Sequence, residues 1–139
     1  MAYTSLGYLN GLKPRDAELW QAQADYNGDN VNVYIDRANV TAAATSAIWS
    51  YKVPFYLVGA SSGAVIPYTG VIGAAASDTS SAGTAAVDDA TPAVVMGRGE
   101  VTLSGDAAAW LAAEAATLTL TYTDLRAGTH TDTFVVTFA

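Results

Sequence analysis

Apolar and polar positions alternate most cleanly near the C-terminal end of the chain. Leu118, Leu120 and Tyr122 interleave with Thr117, Thr119, Thr121 and Thr123, and Phe134, Val136 and Phe138 interleave with Thr133, Val135 and Thr137. A period of two puts each apolar set on one face of a strand. Asp124, Leu125, Arg126, Ala127 and Gly128 between them make a charged, glycine-ended connection, which predicts an antiparallel hairpin over 117–138. A two-stranded hairpin is marginal in water, so its apolar face calls for a second sheet, and the predicted fold class is an all-β antiparallel sandwich.

The upstream pattern supplies strands for that second sheet. Val31, Val33 and Ile35 alternate with Asn32, Tyr34 and Asp36 as a first strand. Tyr51 to Val58 reads as another, in which Pro54 removes a ladder donor and predicts an edge position or a bulge. A turn around Gly59, Ser61, Ser62 and Gly63 leads to Ala64–Tyr68 as its hairpin partner. Asp36 to Ala47 carries no clear period. Strand character returns at Ala93–Met96 and Glu100–Leu103, with Gly97 and Gly99 flanking Arg98 as a bend or bulge. Ser104 to Ala116 predicts a short helical or corner crossing anchored by Trp110.

Two segments fall outside this alternation. Gly70 to Pro92 is small and polar and reads as a long surface loop at about 70–92; such loops are uncommon in compact domains and usually functional, so this one is expected to reach a partner. Met1 to Leu12 carries Tyr3, Leu6, Tyr8, Leu9 and Leu12 without a clean period, and is expected to be an arm that binds either its own domain or a neighbouring subunit. Pro14, Asp16 and Glu18 then favour a short helix through Ala24, with Leu12, Ala17, Trp20 and Ala24 on one face. The organisation expected is an arm over 1–12 followed by one sandwich domain over 13–139.

Composition narrows the classes of partner. A chain of 139 residues fits one domain with a core that needs no staples, and the absence of cysteine excludes both disulfides and thiolate metal sites. The net charge of -7 repels nucleic-acid backbones and anionic lipid headgroups alike, and no apolar run approaches a membrane span. MAYTSLGYLNGL has neither a basic leader nor an unbroken apolar stretch, so no secretory signal is read in it.

Candidate chemistry is sparse. Asp25, Asn27, Asp29 and Asp36 fall at positions 1, 3, 5 and 12 of a calcium loop, the one cofactor expectation, although Asn30 replaces the glycine and a strand follows at once. His130 and Asp132 share a strand face and could orient one another for general-base work, but no nucleophile elbow accompanies them. Asp88, Asp89, Glu100, Asp106 and Glu114 could pair in space as a glycosidase does. Trp49, Tyr51, Tyr56 and Tyr68 could form a sugar-stacking platform, core packing being the commoner use of such rings. Gly97-Arg98-Gly99 lacks the lysine of a phosphate loop, and Asn39-Val40-Thr41 fits a glycosylation triplet.

The sequence EVTLSGDAAAWLAAEAATLTLTYTDLRAGTHTDTFVVTF, from Glu100 to Phe138, resembles the C-terminal half of immunoglobulin-like β-sandwich modules of bacteriophage virion and bacterial surface proteins. The strand, the tryptophan-bearing crossing, the L-T-L-T-Y-T-D strand and the T-D-T-F-V-V-T-F closing strand carry the resemblance. It implies an immunoglobulin-like or jelly-roll-like sandwich with one or two short helices, and a structural role without a catalytic centre. The function expected is phage capsid decoration within the virion, as a homo-oligomer bound to a capsid or other virion protein, with no nucleic acid or membrane partner. A carbohydrate-binding or adhesin module at a cell surface is the alternative; a tail or fibre subunit and a small hydrolase follow.

Overall fold

The computed structural model describes residues 31–124 and 127–139. The arm over 1–12, the helix over 14–24, the calcium candidates Asp25, Asn27 and Asp29, and Leu125 and Arg126 of the hairpin connection lie outside them. Ten strands follow one another among the described residues: β1 (Val31–Ile35), β2 (Val40–Ala42), β3 (Trp49–Gly59), β4 (Gly70–Val71), β5 (Gly73–Asp78), β6 (Ala85–Val87), β7 (Ala93–Val94), β8 (Arg98–Gly105), β9 (Ala115–Thr123) and β10 (Thr129–Phe138). Among the described residues there is no helix: in the segment 104–116 the ends belong to β8 and β9, and 106–114 between them is a corner of turns.

One sheet has the order β1-β3-β8-β6, the other β2-β10-β9-β5, and β4 pairs with β7 in a short ribbon. That is the order of the immunoglobulin sandwich, whose A-B-E-D sheet faces its C-F-G sheet, with β2 added beside the last strand. Alternation explains the layers. Val31, Val33 and Ile35 face inward from β1, Val53, Phe55 and Leu57 from β3, Leu118 and Leu120 from β9, and Phe134, Val136 and Phe138 from β10. The predicted hairpin forms, β9 and β10 pairing antiparallel from Thr123↔Thr129 onward.

The segment 70–92, expected as one long loop, is instead interrupted by three strands, β4, β5 and β6. β5 pairs with β9 from Gly73↔Thr121 to Asp78↔Ala116, and β6 pairs with β8. Its small residues mislead because an edge strand beside Leu118 and Leu120 needs no bulk of its own; Ala74 and Ala85 are buried all the same. The remaining stretch runs along the free edge of β5, where the N–H groups of Ile72 and Ala74 donate to the carbonyls of Pro92 and Ala90. Covering an edge in this way removes a site of unwanted pairing.

Pro54 lies in β3, which sits between β1 and β8, yet the proline does mark an edge. Asp36 N–H donates to the Pro54 carbonyl at 2.9 Å, and proline has no N–H to return the bond, so β1 ends at Ile35. The chain then changes sheets, and side chains satisfy the stranded donors. Asp132 accepts the Ile35 N–H at 2.9 Å, and Asn39 accepts the Val135 N–H at 3.0 Å. β2 then joins β10 in parallel, from Val40↔Val136 to Ala42↔Phe138, the one departure from an antiparallel fold among the main sheets.

Trp110 closes the opposite end. It is fully buried, bridges Thr45 through both backbone bonds, and donates its Nε1–H to the Asp106 carbonyl at 3.2 Å. Its ring meets Trp49 edge-on, with centroids 5.2 Å apart, and stacks against Phe138. A Cβ at Gly83 would collide with this indole, and one at Gly105 with that of Trp49, so both glycines make room for the aromatic cluster.

Candidate functional site

The connection after β3, the hairpin between β7 and β8 and the β9–β10 turn all lie at one end of the sandwich, the end at which β1 begins beside Gly59. Val95 and Arg98 exchange both backbone bonds around a two-residue turn, and Met96 and Gly97 within it have φ of 51° and 79°. Two positive φ angles define a type I′ turn, which favours glycine or asparagine at both places. Gly97 is fixed by packing as well, because a Cβ would run into the carbonyl oxygen of Ile66. Its N–H donates to the Tyr68 carbonyl at 2.7 Å and its carbonyl accepts the Leu57 N–H at 2.9 Å, so the hairpin is bolted to the β3 connection. Thr69 Oγ1 accepts the Met96 N–H. On this fixed support Val71, Val95 and Met96 are each more than half exposed.

His130 does not pair with Asp132. Its Nε2 lies 2.9 Å from Asp124 Oδ2, and Asp124 also holds the turn together by accepting the Gly128 N–H on Oδ1. Asp132 is engaged by β1, as described. The pairing expected two residues apart on one strand therefore gives way to one across the hairpin turn, where Asp124 is fixed by the backbone it caps. The His130 ring lies 6.1 Å from that of Tyr122, which meets Tyr68 edge-on at 5.4 Å.

Asp78, Asp88, Asp89, Asp106 and Glu114 are also tied to backbone. Asp78 accepts the Ala85 N–H, Asp88 that of Thr102, Asp89 that of Thr91 and Asp106 that of Thr84. Glu114 accepts the N–H groups of Leu111 at 2.6 Å and Ser81 at 2.7 Å, which hold its carboxyl below the ordinary glutamate range, the Leu111 bond first. These bonds join loops to strands, and each one occupies its carboxylate with backbone N–H groups. Asp36, the described member of the calcium set, lies 3.4 Å from the Tyr56 hydroxyl, and no group of three metal-ligating side chains occurs among the described residues.

Of the aromatic candidates, Trp49 and Tyr51 turn inward, and Tyr68 packs on Tyr122. Tyr56 faces outward from the β1-β3-β8-β6 sheet. The register Tyr34↔Tyr56↔Arg98 aligns three side chains in a row across three strands. The two rings stack at 6.4 Å, the Arg98 guanidinium lies 5.4 Å from the Tyr56 ring, and Tyr34 is 51% exposed. Sequence reading missed Tyr34 in this role, although its alternation with Val33 and Ile35 already put it on the outer face. It also missed Met96, because a type I′ turn is signalled by Asn-Gly and this one is Met-Gly. Comparison with known protein families, with curated proteins and with solved structures gives no match to this chain.

Proposed function

We propose that the protein is a structural, non-catalytic component of a virion, in the finer reading a bacteriophage capsid decoration protein that works through protein–protein contacts. The observation that carries this reading is the exposed apolar trio of Val95 and Met96, on a hairpin held in place by Gly97, and Val71 on the adjoining β4. A pre-ordered apolar tip with a strained, positive-φ methionine at its summit costs conformational energy, and such strain is retained where a surface is used. A backbone already fixed by hydrogen bonds loses little further entropy on docking. The engagement of His130 and of the loop carboxylates with backbone and turn supports the non-catalytic part. The resemblance over 100–138 supports the virion part, and in this reading Tyr3, Leu6, Tyr8, Leu9 and Leu12 add a second contact. A tail or fibre subunit is the nearest variant.

Quantitative mass spectrometry of purified virions from a phage that encodes this chain tests the reading. A copy number comparable to that of the major capsid protein is expected, and absence from the particle sinks it. Met96→Asp, which keeps the turn exposed but charges its tip, is expected to weaken attachment to such capsids at least tenfold.

One observation favours a second reading. The Tyr34 and Tyr56 pair on an outer sheet face, beside Arg98 and Asp36, has the makings of a sugar-stacking surface on a carbohydrate-binding module. Binding on a glycan array that Tyr34→Ala abolishes would favour it over decoration; an array without hits would remove it.

A further inference from the structure

Among the described residues, the outer face of the β2-β10-β9-β5 sheet carries no ionisable side chain. Every outward position of β9 from Thr117 to Thr123 is threonine, and so is every outward position of β10 except Val135. Gly73, Ala75 and Ser77 continue the face on β5, and Thr41 on β2. Register sets threonine directly opposite threonine at Thr123↔Thr129, Thr121↔Thr131 and Thr119↔Thr133. All of these positions are exposed or half-exposed. The opposite sheet differs: Lys52, Arg98 and Glu100 stand on its outer face. Soluble proteins ordinarily scatter charges over exposed sheet faces, so a whole face without one, on a chain of net charge -7, calls for an occupant.

We infer that this threonine face is a self-association surface whose occupant is the same face of a second copy. The argument for a second copy is charge. Two molecules that each carry -7 repel one another over most relative orientations, and a face-to-face approach through this sheet brings no like charges into contact. Depletion of charge at the centre is also how protein interfaces differ from other surfaces. Symmetry agrees. A two-fold interface must be complementary to itself, and a field of one repeated residue, each offering a methyl group and a hydroxyl, meets that condition in many registers. Strands of 3, 6, 9 and 10 residues, at about 3.4 Å per residue and about 4.8 Å apart, give a face of roughly 460 Å², so a dimer would bury roughly 900 Å² in total. That lies just above ordinary lattice contacts and below the standard size of stable interfaces, which predicts a weak, reversible dimer. The inference does not depend on the virion reading.

Sedimentation equilibrium of the full chain at low and high salt tests it. Dimerisation is expected to tighten with salt, because salt screens the repulsion between the two negative bodies while the contact itself contains no ion pair to weaken. The double variant Thr119→Lys/Thr133→Lys is expected to raise the dissociation constant more than tenfold, and Thr102→Lys on the other sheet to leave it unchanged. Should the double variant fail to fold, Thr133→Cys offers a milder route: the chain has no cysteine, so a short bis-maleimide is expected to link this variant into dimers but not Thr102→Cys. A chain that stays monomeric at millimolar concentration, a dimer indifferent to the lysines, or equal crosslinking of both cysteine variants would overturn the inference.

Discussion

Gly63 and Gly97 provide a matched pair for testing what holds the apolar tip in place. Both have positive φ, +70° and +79°, so alanine at either carries the same backbone penalty, about 1–2 kcal/mol. Their surroundings differ. A Cβ at Gly63 would meet nothing within 4 Å, whereas one at Gly97 would collide with the Ile66 carbonyl and Val65 Cγ1. Backbone cannot yield as a side-chain end does, so Gly97→Ala must push the hairpin away from the β3 connection and strain the bonds to Tyr68 and Leu57. Losing both adds roughly 1–3 kcal/mol. Gly63→Ala is therefore expected to cost about 1 kcal/mol and Gly97→Ala about 3–4. At roughly 4 °C per kcal/mol for a chain of this size, the Tm falls by about 4 °C and about 14 °C. Differential scanning calorimetry with urea titration measures both. Equal losses would mean that the Gly97 contacts do not clamp the hairpin, and the argument for a pre-ordered tip would fail with them.

Two further outcomes follow from the other end of the sandwich. Trp110→Ala removes a fully buried indole, its bond to Asp106 and its contacts with Trp49 and Phe138, and is expected to destabilise by about 3–5 kcal/mol in chemical denaturation; a loss under 1 kcal/mol would show that the corner closes without it. Glu114 has a folded-state carboxyl below its ordinary value, so the stability it contributes is complete above the ordinary glutamate range and disappears as pH falls through the lowered value. Thermal unfolding of wild type and Glu114→Gln should therefore differ at neutral pH and converge in acid, and a gap independent of pH would disprove the linkage.

Legibility in the sequence tracked how much each strand contributes to its own burial. β1, β9 and β10 carry their own apolar alternation and are plain to read. β5 and β6 are held by neighbours: Ala74 and Ala85 reach the core only because larger residues on adjacent and facing strands fill the space beside them, and nothing local announces that. Tertiary context overrode composition there. Pro54 was legible as an edge marker, but which part of β3 lay at the edge depended on where β1 stopped. The site was less legible than the fold. The spacing of His130 and Asp132 invited a pair, while the actual partner, Asp124, is recruited by the geometry of a turn. The charge-free face is visible in the sequence as two runs of alternating threonines, but only the register joins them into one surface.

The parallel contact between β2 and β10 gives the fold a mechanical character. Tension that reaches β2 at Val40 and β10 at Ala139 would draw the two strands in opposite directions along their common axis, because the loaded end of each lies at the far end of the pair from the other. All the bonds between them, together with Ala139 N–H to the Ala42 carbonyl and Ala44 N–H to the Ala139 carbonyl, would then bear the load in shear at once. A hairpin pulled at its open end gives way one bond at a time. The shorter of the two partners of β10 is thus a latch, whose strength depends on the direction of pull and which resists most when the two ends of the sandwich are drawn apart.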